Sequence, residues 1–172
     1  TSFMFAVSEN NWLGRGVKLK SKVDVTVETL RGSVAVTVPN YNYSGNAVFG
    51  SLDVSSSDLT TNSGYESNKT GWNLGTEFEQ YENIYLSPSF SASHEKIEAQ
   101  ADASQAIKDM EGTFTNVDFQ YGVKIDKRNQ PYRPSAGYIT NWIQAIPLVQ
   151  DSSSLLNGLT VTSFHDFSDD II

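Results

Sequence analysis

The sequence predicts an all-β fold: an antiparallel up-and-down meander of about nine strands, forming part of a larger transmembrane β-barrel. Three observations carry this. Apolar residues recur at every second position from one end of the chain to the other. The clearest of these runs, about twelve residues, outlasts the five or six usual in soluble sheets. Finally, hydrophobic residues make up only 38% of the 172 positions, with a mean hydropathy of -0.35. No stretch of about eighteen apolar residues exists to form a helical span. A barrel escapes that requirement, because only alternate residues of a spanning strand face lipid.

The segment from Val17 to Glu28 shows the pattern best. Val17, Leu19, Val23, Val25 and Val27 fall on one face, whereas Lys18, Lys20, Lys22, Asp24, Thr26 and Glu28 fall on the other. Wound as a helix, the same segment would scatter its valines around the axis, and β-branched residues disfavour that state. A lysine pointing into lipid near the midplane costs about 2–4 kcal/mol. The lysine face must therefore be wet, and the valine face is expected to touch lipid.

The remaining strands follow in order. Phe3, Phe5 and Val7 alternate with Met4, Ala6 and Ser8, and Val34, Val36 and Val38 with Ser33, Ala35 and Thr37. Between Asn46 and Ser55, Val48, Leu52 and Val54 share a face with Gly50. Trp72, Leu74 and Phe78 oppose Gly71, Asn73, Gly75, Glu77 and Glu79. Ile84, Leu86, Phe90 and Ala92 oppose a row of serines, with Pro88 a flaw in the ladder. Val117, Phe119, Tyr121, Val123 and Ile125 oppose Asp118, Gln120, Gly122, Lys124 and Asp126. Two further strands span Tyr138 to Ile146 and Leu155 to His165; the pattern leaves open which face of the first of these points outward.

The connections alternate in character. Compact turns rich in aromatics (Trp12, Tyr41, Tyr43, Tyr81, Tyr132 and Tyr138 nearby) are expected at one rim, as an interfacial girdle. Polar loops, Ser55 to Lys69 and Glu95 to Gly112, are expected at the other, with a short helix near Ala99 to Met110.

Chemistry is sparse. Without cysteine there are no disulfides and no thiolate sites. A net charge of -8 excludes nucleic acid as a partner, since phosphate binding needs surplus Lys and Arg. His94 beside Glu95 has no second ligand at metal spacing and reads as a solvated loop residue. His165 with Asp166, Asp169 and Asp170 reads as a charged turn, off the spacing of a calcium loop. No catalytic motif appears, and neither an enzyme nor a cofactor is expected.

Three stretches resemble the barrel of the bacterial surface antigen superfamily, the outer-membrane insertases. Glu9 to Gly16, with Trp12, Gly14 and Gly16, resembles a periplasmic NWLGxG turn. Val36 to Tyr41 is similar to an NPYF-like strand end, with Pro39 and Asn40 transposed. Tyr121 to Tyr138, carrying Asp126, Arg128, Pro134 and Gly137, resembles a DxRDNPxxPTxGY run. The glycines suit tight turns, the prolines stiffen a connection that crosses the rim without pairing, and Asp126 with Arg128 could bridge strands or sit in water. The resemblance implies a location in the bacterial outer membrane and periplasmic POTRA domains upstream. It also implies a complete barrel of about sixteen strands, of which residues 1–172 hold the N-terminal part. Client β-barrel proteins, assembly lipoproteins and outer-membrane lipids are the implied partners. A lateral gate would be formed in part by the first strand, Ser2 to Ser8, with Phe3, Met4, Phe5, Ala6 and Val7. In isolation the sheet should be curved and open. The alternatives are a secretion or transport barrel of the same superfamily and a soluble β-sandwich or lipocalin-like binder.

Overall fold

The computed structural model describes residues 1–149 and 154–166. Among them lie nine strands: β1 (Ser2–Trp12), β2 (Val17–Thr26), β3 (Thr29–Val38), β4 (Ala47–Asp58), β5 (Tyr65–Tyr81), β6 (Ile84–Ala99), β7 (Gly112–Asp126), β8 (Ala136–Val149) and β9 (Leu156–His165). They form one sheet in the order β1 to β9, each strand antiparallel to its neighbour in sequence. β1 and β9 are the two edges, so the sheet is open, as a single-layer piece of barrel wall must be.

Among the described residues no second layer covers either side, which removes the β-sandwich alternative. The usual core is accordingly missing: among the described residues only Gly71, Ser89, Gly122 and Ala145 are buried, none of them large. Large apolar side chains such as Phe5, Leu52, Trp72, Leu74 and Phe90 stand about half exposed. In water that surface would be a liability; against hydrocarbon it is the expected exterior.

Several boundaries move from their sequence-based positions. β2 stops at Thr26, which puts Val27 in the tight turn to β3 rather than on the valine face. The loop expected from Ser55 to Lys69 shrinks to residues 59–64, and that from Glu95 to Gly112 to residues 100–111. There β4, β5, β6 and β7 keep pairing past the apolar band, with polar side chains on both faces: Ser57 pairs with Ser67, and Asn68 with Lys96. The helix near Ala99 to Met110 forms at Gln105–Lys108.

The rims are also less unequal than expected. One rim carries the connections 13–16, 39–46, 82–83 and 127–135; the other carries 27–28, 59–64 and 100–111. Each rim has one two-residue turn, so length alone does not distinguish them. Backbone geometry does. All the non-glycine residues of positive φ among those described lie on the first, aromatic rim: Leu13, Asn42, Tyr43, Asn83 and Arg133. We call this the turn rim and the other the loop rim.

Candidate functional site

Cross-strand register shows how the strands combine into two faces. Phe5 pairs with Val23, Val23 with Gly32, and Gly32 with Val54. The next row runs Val7, Ser21, Val34, Leu52, Trp72, Ala92 and Val117 without leaving the apolar face. Leu19 begins a third row through Val36, Gly50, Leu74, Phe90, Phe119 and Ile146. Val17, Leu19, Val23 and Val25 thus belong to one continuous apolar surface, unopposed by any layer among the described residues.

Register also fixes β8, whose pattern was ambiguous. Trp142 and Ile146 share the apolar face with Val123 and Phe119, while Ile143 and Ala145 lie on the polar side, opposite Gly122 and Gln120. Rings stack along the apolar face here, Phe90 on Phe119 at 5.0 Å and Tyr121 edge-on to Trp142 at 5.3 Å. Tyr121 donates to Gln144 at 2.6 Å and Gln144 to Asn157 at 2.8 Å, so these polar groups reach the apolar face already hydrogen-bonded.

Bulges place two rim aromatics. Phe3, Phe5, Val7 and Glu9 pair outward in step, but the register shifts between Glu9 and Trp12, so that Trp12 opposes Val17 on the apolar face. A second shift between Glu79 and Tyr81 brings Tyr81 opposite Ile84. One inserted residue reverses which way the following side chains point. Tyr41, Tyr43 and Tyr132 sit in the turns themselves, and Tyr43 is 93% exposed.

The other face is polar. Lys18, Lys20 and Lys22 project from β2 and are exposed. Across the sheet Lys124 pairs with Glu77 at 3.2 Å and Lys69 with Glu95 at 3.6 Å. Lys124 also lies over the Tyr85 ring, 4.3 Å from its centre. Glycines admit large side chains on this face: a Cβ on Gly75 would fall 2.5 Å from Phe49 and from Ser89, and one on Gly71 2.6 Å from Asp53. Met4 and Ala6 of β1 share this face, opposite Asp24 and Lys22.

The turn rim is built on asparagines. The Asn11 side-chain oxygen accepts from the Gly16 amide at 2.6 Å, and Asn40 from Gly45 at 2.7 Å. Asn129 accepts from the amides of Ser135 and Ala136 and donates to the Ser135 hydroxyl at 2.7 Å. All three residues lie in the quoted motifs, yet their clamping role was not read from them. Gly14 and Gly16 both have φ +69°, as the tight turn demands.

Asp126 and Arg128 meet, but not as a bridge between strands. The Arg128 Nε and Nη2 donate to the two carboxylate oxygens of Asp126 at 2.8 and 2.6 Å, and Nη1 to the Pro131 carbonyl at 3.2 Å. The pair closes one turn on itself, and the hydrogen bond to Asp126 raises the Arg128 pKa above its ordinary value. Nor does that turn cross the rim unpaired: Lys127 donates to the Tyr138 carbonyl and Asn129 to that of Ala136. Pro134 lies inside the turn. Gly137, at φ +99°, lets the two backbones touch, since a Cβ there would fall 2.1 Å from the Lys127 carbonyl oxygen.

His94 is a strand residue, not a loop residue; on the apolar-face side of β6 its Nδ1 sits 3.0 Å from the Thr115 hydroxyl. His165 ends β9. Asp169 and Asp170 lie outside the described residues, and no metal-holding cluster occurs among those described.

A single-layer antiparallel sheet, continuously apolar on one side and hydrated on the other, is a section of an outer-membrane-type β-barrel wall. The family model described as the Omp85 superfamily domain matches residues 11–170. The chain belongs to the Omp85 superfamily. The crystal structure of BamA from Haemophilus ducreyi lacking POTRA domains 1–3 is similar in fold, with a TM-score of 0.59 and 17% identity over 86% of this chain. The chain spans 31% of that protein's length. No curated protein matches.

Proposed function

We propose that this sheet belongs to an outer-membrane protein assembly factor, an insertase that folds client β-barrel proteins into the bacterial outer membrane through a lateral gate. The observation that supports it best is a single-layer barrel wall that belongs to the Omp85 superfamily domain. An unpaired edge offers N–H and C=O groups to an incoming strand, which finds no such partners in lipid. The work is done by backbone, and it requires neither catalytic side chains nor a cofactor. Lipids would cover the apolar face, and assembly lipoproteins would dock from the periplasm.

The direction of β1 bears on the proposed gate. β1 runs from the loop rim to the turn rim. On the reading that the turn rim is periplasmic, a chain entering from periplasmic domains begins its first strand at that rim, so an odd number of strands comes before β1. On that reading Phe3 to Val7, taken from the sequence as the gate strand, have at least one strand between them and the seam.

The test is reconstitution of the full-length protein in liposomes with an unfolded client barrel, scored by the client's heat-modifiable migration. A cysteine pair locking the seam to the last strand of the intact barrel should abolish insertion when oxidised and restore it when reduced. Insertion that continues through a locked seam contradicts the gate. Ion conductance without any insertion identifies a transport barrel instead.

A further inference from the structure

Among the described residues, the lysine row of β2 is a concentration of like charge on the polar face to which no carboxylate is paired. Lys18, Lys20 and Lys22 occupy alternate positions of one strand, so their heads repeat about every 6.7 Å. None has a carboxylate within 4.0 Å among the described residues, whereas Lys69 and Lys124 on the same face are both paired. The flanking strands leave the row accessible. Ala6 and Ser8 pair with Lys22 and Lys20 from one side, and Ser33 and Ala35 from the other. With these short side chains, Lys20 and Lys22 line a groove of about 520 Å³, and Lys18 continues the row one pair of positions further along β2. Asp24 and Asp53 approach only its loop-rim end, where they line a second hollow with Lys22 and Arg31.

Charge on this face is divided. Basic groups outnumber acidic ones on β2 and β3, while Glu77, Glu79, Glu95, Asp118 and Asp126 make the β5–β7 side acidic. A polyanion inside the barrel is therefore steered toward β2 and away from the opposite flank.

We propose that this groove binds an extended polypeptide segment carrying carboxylates at alternate positions. A strand-like peptide places every second side chain on one face at the same repeat as the lysines, so three Asp or Glu residues meet three ammonium groups in register. Lysine, a flexible point charge, suits single carboxylates; planar bidentate recognition would call for arginine. The proposal rests on the polar face being the water-filled interior, and it does not depend on insertase activity.

The probe is a short fluorescent peptide of alternating Asp and Ser, titrated into the full-length protein in detergent micelles and followed by anisotropy. Binding should weaken steeply with added salt. The triple substitution Lys18→Gln, Lys20→Gln, Lys22→Gln should weaken it about tenfold or more, three exposed ion pairs acting together. Glutamine keeps the face polar, and unchanged heat-modifiable migration verifies the fold. A peptide with Lys in place of Asp should not bind. No binding by the unaltered protein, equal affinity in the triple variant, or equal binding of the Lys peptide would each overturn the proposal. Client insertion is scored separately, so failure of the strip and failure of the insertase reading are distinguishable.

Discussion

Gly137 is the residue whose identity the structure constrains most tightly. Its φ of +99° disfavours any L side chain, and the 2.1 Å approach of the Lys127 carbonyl leaves no volume for one. Gly137→Ala should therefore destabilise the barrel by roughly 1–3 kcal/mol or more, strain and backbone displacement together. A lowered temperature of the heat-modifiability transition would report it. Asn129 organises the same turn through its three side-chain hydrogen bonds. Asn129→Ala should cost about 1 kcal/mol or more on the same measure, because two turn amides lose their acceptor. That a turn belongs here was legible from the density of Pro, Gly and Asn. The clamp was not, because an Asn side chain folding back on amides six and seven residues away leaves no periodic trace. The Asp126–Arg128 contact was half legible: residue types and spacing suggest an ion pair, but only coordinates reveal that it closes a turn rather than joining strands.

Strands differ in how plainly they announce themselves. β2 was readable because its two faces meet environments of opposite polarity along nearly the whole strand. β8 was not, since Ile143 on the polar side lies opposite Gly122, where the missing side chain leaves room for apolar bulk. The outer parts of β4 to β7 were taken for loops because beyond the apolar band both faces are wet and alternation loses its meaning. Bulges at Glu9/Trp12 and Glu79/Tyr81 are invisible to a period-two count, yet they decide which way Trp12 and Tyr81 point. Face polarity gives a prediction at this scale. Val23→Lys should cost about 2–4 kcal/mol if Val23 lies near the midplane. Lys20→Val on the neighbouring face should shift stability by less than about 1 kcal/mol. Denaturant titration of folded barrels in lipid, read by gel migration, compares the two; equal costs would mean that the faces are not distinguished by solvent.

At the scale of the whole molecule, a wall whose four buried residues among those described are all small cannot be held together by a core. Its cohesion comes from ladder hydrogen bonds, which are strongest where water is excluded, and from hydrocarbon on one side. The open edges at β1 and β9 predict that residues 1–172 expressed alone would aggregate without detergent, as an unpaired apolar sheet does. Fold class, strand order and polarity were all legible in advance, because each follows from alternation and short connections. The tilt of function toward a backbone edge was not; it came from resemblance, and no side-chain pattern encodes it. The claim beneath everything is that one side of β2 touches lipid while the other stays wet. This chain contains no cysteine, so single cysteines introduced along positions 17–26 of a full-length protein otherwise free of reactive thiols can carry spin labels in proteoliposomes. Labels at 17, 19, 23 and 25 should favour collision with oxygen, and those at 18, 20 and 22 with a water-soluble nickel chelate, alternating residue by residue. A flat profile, or one with the opposite phase, would contradict the account.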